Sequence, residues 1–393
     1  MSQIEYSHEF DSISPYTDEE AMEALAKVAV HPVARRFSKF MFPGEPDDFL
    51  SRIIEQINTI EEFQTLVMSK FVYWVMDTTI HNFSYDGIEN FRKVHGQFLA
   101  LSNHRDIILD PAITQLVLYM NNMPMTEIAV GDNLLSNKYM EYMIRSNRMI
   151  RVIRGISSRS LYLNSQLLSK YIRYCITTCK GSIWLAQREG RTKDGVDTTE
   201  QGLLKMLDMS GTGTFTENFM ELNIVPLSIS YEYEPCDIRK ARERLIARDH
   251  KYVKGKYEDL ESIMLGIKQP KGNVHLNIGA PLTREEVDEA SLCTKNDRYQ
   301  FIRHAVDKRV ISGYKLWKTN YMGYDLMTGG SKYANEYTPE ELSEFKGYIE
   351  QRLCMVEPLL DRDELMANLL GIYGNPVLSK ERLSEESLSL ESC

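Results

Sequence analysis

The sequence of 393 residues predicts an α/β fold: a mostly parallel or mixed sheet flanked by helices, with helical N-terminal and C-terminal regions. Three observations predict it. Short apolar runs recur between residues 97 and 278, each separated from the next by a longer amphipathic or polar segment. Before them, from about Asp18 to Tyr85, and after them, from about Arg284 to Tyr373, apolar residues return at the three- and four-residue spacings of helices. With 43% hydrophobic and 26% charged residues, the composition is that of a folded globular chain and excludes a disordered or collagen-like one.

In order along the chain, the N-terminal helical region breaks at His31-Pro32 and again at Phe42-Pro43-Gly44-Glu45-Pro46. Strands are expected at 97–101, 126–130, 150–153, 182–186, 224–230 and 273–278, and helices at 111–120, 158–179 and 237–267 between them. This divides the chain into a helical region (1–92), an α/β domain (93–285), a second helical region (286–378) and a tail (379–393). The tail is mainly Ser, Glu, Lys and Leu without a sustained periodic face, so it is expected to be mobile.

Charge and cysteine usage narrow the function classes. Lys and Arg number 46 against 56 Asp and Glu, a net charge of −10, which argues against a dedicated nucleic-acid binder. Ser69 and Lys70 interrupt the apolar run at 63–76, and no stretch reaches the roughly 18 apolar residues of a membrane span. The first residues show no basic, apolar, small-residue progression, so a cytoplasmic location is expected. Cysteines 175, 179, 236, 293, 354 and 393 form no CxxC pair and have no His at ligand spacing, so neither disulfides nor a metal site are expected. Cys175 and Cys179, four apart on one helix face, read as a buried reduced pair.

Chemistry concentrates just beyond the strands. In Leu101-Ser102-Asn103-His104-Arg105-Asp106-Ile107-Ile108-Leu109-Asp110-Pro111, a His and two carboxylates follow an apolar strand, where α/β sheets build sites. Asp110 before Pro111 fits a helix N-cap, and His104 on the connection could be oriented by a carboxylate to act as a general base. The same residues also fit a structural loop in which Asp110 only caps. A second stretch, Gln187-Arg188-Glu189-Gly190-Arg191-Thr192-Lys193, collects cations and a glycine that lets backbone approach a ligand. A third cation cluster is Arg145, Arg148, Arg151 and Arg154.

These blocks, in this order, resemble the glycerolipid acyltransferase superfamily, which includes glycerol-3-phosphate and lysophosphatidate acyltransferases. Asn103-His104-Arg105 with Asp110-Pro111 looks like the family's His-x4-Asp block, and Arg151-Val152-Ile153-Arg154-Gly155 like its second. Arg188-Glu189-Gly190-Arg191-Thr192 looks like its Glu-Gly-Thr-Arg block, and Val225-Pro226-Leu227-Ser228-Ile229-Ser230-Tyr231-Glu232 like its fourth. The stretch Gly272 to Pro281 is similar to a late strand of the glycerol-3-phosphate branch. The likeness covers about residues 95 to 285, with two departures. Asp110 is the sixth residue after His104 where the family has the fifth, which makes Asp106 an alternative partner, and a residue is missing between Gly190 and Arg191.

The resemblance implies that His104, held by Asp110, takes a proton from an acceptor hydroxyl as it attacks a fatty acyl thioester. It implies that Arg154, Arg191, Glu189 and Gly190, with Lys193 in support, form the acceptor phosphate site, and that Pro226 shapes a cleft wall. No bound cofactor or metal is implied; an acyl-CoA or acyl-carrier-protein thioester is the co-substrate. A fatty product implies a peripheral membrane protein. Two segments offer a docking surface: 237–256, with eight basic against three acidic residues, and 63–76, with Phe71, Tyr73 and Trp74. Each also fits a plain structural role, as a paired helix face and as core. A Gly-x-Ser-x-Gly elbow, which a serine hydrolase would need, is absent. The alternatives are a lipid-binding protein of the same fold without turnover and an acyltransferase for a non-glycerophosphate acceptor.

Overall fold

The computed structural model describes residues 8–135, 137–154, 157–248, 252–255 and 257–391, with side chains to residue 386. Seven strands form one mixed sheet: β1 (Ile80–Asp86), β2 (Leu99–Ser102), β3 (Glu127–Gly131), β4 (Met149–Val152), β5 (Ile183–Ala186), β6 (Ile224–Tyr231) and β7 (Gly272–Ile278). Their order is β1-β7-β6-β2-β5-β3-β4, and β6 with β7 is the antiparallel pair among otherwise parallel neighbours. The central strands β2 and β6 are buried along their whole length, as continuous apolar runs with helices on both faces require.

Alternation along the strands sorts their side chains. Ala100, Val225, Leu227, Ile229 and Tyr231 face a core shared with the N-terminal helices and the Leu109–Met120 helix. Leu99, Leu101 and Ile224 face a second core with the Ser158–Tyr174 and Asp297–Gly313 helices. A third core joins the Asp237–Ala247 helix to the C-terminal helices Pro339–Leu353 and Arg362–Glu391.

Four expectations are corrected. Residues 80–86, read as helix, form the edge strand β1: Phe83 and Tyr85 pack inward while Asn82 and Asp86 are exposed, a period-two pattern too short to stand out beside the helical run before it. The region drawn to residue 92 therefore supplies part of the sheet. The single helix expected at 237–267 is two, Asp237–Ala247 and Glu258–Lys268. The expected mobile tail continues as helix to Glu391, anchored by Tyr324, Tyr333 and Lys332 on Glu381. The 158–179 helix ends in a π-helical turn, Cys175–Cys179, which buries Cys175 and leaves Cys179 partly exposed. Residues 392 and 393, and so Cys393, lie outside the described residues.

Lys271, just before β7, is fully buried and donates to Gln269 O (2.7 Å) and Thr79 Oγ1 (3.2 Å). Burial pulls its pKa down from 10.5 to about 8, with Asp106 opposing the shift. Between those values the unfolded chain binds more protons than the folded one, so this lysine's contribution to stability grows as pH rises and is lost as pH falls through about 8. The stability of the wild type relative to Lys271→Met should climb between pH 8 and 10.5 in urea titrations. A pH-independent difference would show that the lysine is not held in this way.

Candidate functional site

The site grows from the end of β2. Beyond Ser102 the chain stays on the sheet for one more residue through the side chain of Asn103. Its Oδ1 accepts from Ile229 N (2.8 Å), and its Nδ2 donates to Ile229 O (3.0 Å) and to Asp197 Oδ2 (3.0 Å). With the ladder carried by a side chain, the backbone is free to turn, and His104 emerges at the carboxyl end of the strand with its side chain 14% exposed. Its carbonyl is tied to Thr192 N (2.8 Å), in the loop after β5.

His104 Nδ1 meets Asp110 Oδ2 at 2.9 Å. The same oxygen accepts from the backbone N–H of Arg105 (2.5 Å) and Asp106 (2.9 Å), and the other, Oδ1, accepts from the Tyr231 hydroxyl (2.8 Å). The Leu109–Met120 helix starts one residue before Asp110, so Asp110 is not its N-cap. The turn is closed by Asp106, whose Oδ1 accepts from Ile108 N and Leu109 N, each at 2.8 Å. The two carboxylates thus divide the roles open to them in the sequence. Asp106 shapes the loop and Asp110 holds the imidazole. A Cβ at Gly266 would lie 2.5 Å from Asp106 Oδ2, so a glycine lets the Glu258–Lys268 helix pack against this turn.

Beneath the loop lies a buried ionic cluster. Arg105 donates to Asp197 Oδ2 (2.6 Å), Glu234 Oε2 (3.3 Å) and Gly195 O (3.3 Å), and stacks 4.9 Å from the Tyr314 ring centre. Lys240 donates to Glu234 Oε1 (2.5 Å) and to the carbonyl of Arg105 (2.7 Å). Burial works against the Arg105 charge, but Asp197, Tyr314 and Glu234 outweigh it and hold its pKa well above the ordinary value. Arg105 stood in the stretch read from the sequence without a role, and Asp197 and Glu234 were missed. The available signal was positional: each acid lies shortly beyond a strand, β5 and β6, that neighbours β2.

His104 opens onto a cleft of about 440 Å³ at the carboxyl ends of β2, β5, β3 and β4. Arg151, Arg154, Arg188, Arg191 and Lys254 line it against Glu189, Glu200 and Asp259. Arg154 Nη1 pairs with Glu189 Oε1 at 3.0 Å, both about half exposed. Arg151 Nε, Arg188 Nε, Arg191 Nη1 and Trp184 Nε1 are buried donors without a hydrogen-bond partner among the described residues. Trp184 packs edge-on against His104, ring centres 5.9 Å apart. Gly190 sits at φ +71°, a left-handed conformation that favours glycine at the rim. A second cavity, of about 400 Å³ and almost wholly apolar, lies alongside, walled by Phe37, Phe40, Met68, Phe71, Ile263 and Met264 among others. The two share Ile107, Pro111, Ile128, Val130 and Leu134. Among the described residues no group of three or more His, Cys, Asp or Glu is placed to hold a metal ion.

The sequence-derived residues therefore divide. His104, Arg154, Glu189, Gly190 and Arg191 line the cleft, and Asp110 backs His104. Lys193 does not line it: its ammonium pairs with Glu243 Oε1 (2.5 Å) on the Asp237–Ala247 helix. Pro226 does not either. It is buried within β6 opposite Leu101, and its carbonyl accepts from Gly279 N (2.8 Å) just ahead of the Leu227–Ile278 pair where β7 joins. Gly155 lies outside the described residues.

Of the basic segment 237–256, Lys240 is buried in the ionic cluster. Arg239, Arg242, Arg244, Arg248 and Lys254 pair with Glu261, Glu357, Asp194, Glu364 and Asp259. Lys251 and Lys256 lie outside the described residues. In 63–76, Phe63, Val67, Phe71, Val72 and Val75 are core. No helix among the described residues is long and apolar enough to cross a membrane.

No family model matches the chain, and no curated protein matches it. Among solved structures, it is similar to the crystal structure of the 1-acyl-sn-glycerophosphate (LPA) acyltransferase PlsC from Thermotoga maritima. The TM-score is 0.39 and the identity 12%, over 77% of this chain and 98% of that one.

Replacing Arg105 by Met should lower stability by about 3–5 kcal/mol, because it leaves buried carboxylates without their guanidinium. Urea unfolding measures this; a loss below about 1 kcal/mol would mean that the cluster does not hold the loop.

Proposed function

We propose that this chain is an O-acyltransferase that moves a fatty acyl group from a CoA or acyl-carrier-protein thioester to the hydroxyl of a glycerophosphate acceptor, glycerol-3-phosphate or lysophosphatidate. One observation carries the reading: the His104–Asp110 pair borders a cleft rich in unpaired guanidinium N–H groups that shares a wall with an apolar cavity. A reaction joining a phosphate-bearing alcohol to a fatty acyl chain needs those three environments together. The blocks that resemble the glycerolipid acyltransferases support the same reading.

In this mechanism Asp110 occupies Nδ1 of His104 and fixes the tautomer, leaving Nε2 for the acceptor hydroxyl. As Nε2 takes the proton, the hydroxyl oxygen attacks the thioester carbonyl. A C–O bond forms, the C–S bond breaks, and the departing thiolate receives the proton from the imidazolium. The acceptor phosphate engages Arg151, Arg188 and Arg191, whose buried N–H groups otherwise lack acceptors, with Arg154 and Glu189 at the rim. The acyl chain lies in the apolar cavity. Tyr119 and Leu260, 46% and 50% exposed, line that cavity and suit a mouth held against a cytoplasmic membrane face.

Thiol release from palmitoyl thioester donors should depend on one of the two acceptors and fall by about 10²–10⁴-fold in His104→Ala. Acceptor-independent or absent release from folded protein with lipid vesicles would overturn the reading and favour the lipid-binding or other-acceptor alternative. Met264→Trp, which fills the apolar cavity, should shift preference toward shorter acyl chains in a donor series; an unchanged profile would place the chain elsewhere.

A further inference from the structure

Asp110 is a fully buried carboxylate whose two oxygens are used differently. Oδ2 takes His104 and two backbone N–H groups, while Oδ1 takes the hydroxyl of Tyr231 at 2.8 Å. Tyr231 closes β6, two strand residues beyond the Ile229 that holds Asn103, and its ring lies in the core shared with the Leu109–Met120 helix. It is 1% exposed.

We propose that Tyr231 is a positioning residue for the His104 base, acting through Asp110. Its phenol fixes which carboxylate oxygen faces the imidazole, and by donating to Oδ1 it draws off part of the charge that Asp110 presents to His104. The inference rests on the general-base reading of His104, but its test needs no turnover. The sheet supplies the rigidity. β6 pairs with β2 at Ser102–Leu227, so the strand that presents His104 and the strand that presents Tyr231 are fixed to one another, and the carboxylate is gripped between them. Burial keeps the phenol protonated far above the ordinary tyrosine range, with Asp110, Asp106 and Glu234 adding to the effect, so it remains a donor wherever the histidine titrates.

The test is the pH titration of His104 followed by NMR of histidine-labelled protein, with His104→Ala to assign the signal. In Tyr231→Phe the Asp110 charge is less shared, the imidazolium is better stabilised, and the midpoint should move to higher pH by about half a unit or more. Replacing Tyr231 with 3-fluorotyrosine preserves the shape and strengthens the donor, so the midpoint should move the other way. In an Asp110→Asn background neither change should have an effect.

Other charges lining the cleft with His104 are common to all variants: Arg151 in β4, Arg154 just beyond it, and Arg188, Glu189 and Arg191 beyond β5. Lys254 and Asp259 at the mouth and Glu200 in the cleft are likewise unchanged. The comparison therefore isolates the carboxylate. A midpoint unmoved by either substitution, or moved equally in the Asp110→Asn background, would overturn the proposal and leave Tyr231 a packing residue. Failure of the transferase reading would show separately, as absent thiol release with the titration shifts intact.

Discussion

The site depends on the burial of Arg105. A fully buried guanidinium is costly to desolvate, and the structure tolerates it by surrounding it with Asp197 and Glu234, a carbonyl and an aromatic face, while Lys240 neutralises the remaining acid charge. Two cations against two anions leave no net charge within the cluster. Such a cluster adds little to stability over a well-packed apolar core of the same shape, yet it is demanding in geometry. Its members come from the loops after β2, β5 and β6 and from the Asp237–Ala247 helix. The consequence is positional: the residue next to His104 is bonded to the loops after β5 and β6 and to the Asp237–Ala247 helix.

A loop fixed from below can be open above. His104 needs no contact of its own with the cleft floor, since Asp110 holds its ring and Thr192 its carbonyl. This lets the cationic cleft and the apolar cavity meet on opposite sides of one short wall, Ile107, Pro111, Ile128, Val130 and Leu134. A wall of apolar side chains separates an environment that wants anions from one that excludes water, and both charge-assisted hydrogen bonding and hydrophobic burial are stronger for the separation. The unpaired N–H groups of Arg151, Arg188 and Arg191 belong to the first environment. Each is a donor that a finished core would pair, and others of the same kind, at Arg105, Arg148, Arg298 and Arg352, lie outside the cleft.

What was legible in the sequence follows the range of the interactions involved. The central strands and most helices could be read because burial on two faces writes continuous apolar runs and helical burial writes a 3.6-residue period. The edge strand β1 could not, because it is half exposed and borders a longer helical pattern. His104 and Asp110 lie within one strand-to-helix connection, six residues apart, and were found together. Lys193 and Pro226 failed for one reason: sequence adjacency to a motif does not give direction, and Glu243 and the β6 ladder set where they point. Lys240, counted among surface cations, is buried with Glu234, six residues before it, because Arg105, 129 residues from that acid in sequence, pairs with it in the interior. Long-range ion pairs leave no local periodicity.

The spacing of His104 and Asp110, one residue longer than in the family whose blocks the sequence resembles, shows how a spacing can change while a geometry is kept. Inserting one residue ahead of a helix would ordinarily rotate the following positions by about 100° about the helix axis, turning a carboxylate away from its partner. Here the insertion is taken up before the helix begins. Asp106 draws Ile108 N and Leu109 N onto one oxygen, compacting three residues into a turn, and the helix then starts with Asp110 in its first turn. The backbone N–H groups of Arg105 and Asp106 reach the same oxygen as His104 Nδ1, so the loop curls around the carboxylate rather than past it. Asp110 is thus specified by four neighbours in three dimensions and only loosely by its distance along the chain. The contact with Tyr231, more than a hundred residues away, sets its orientation as firmly as the loop does.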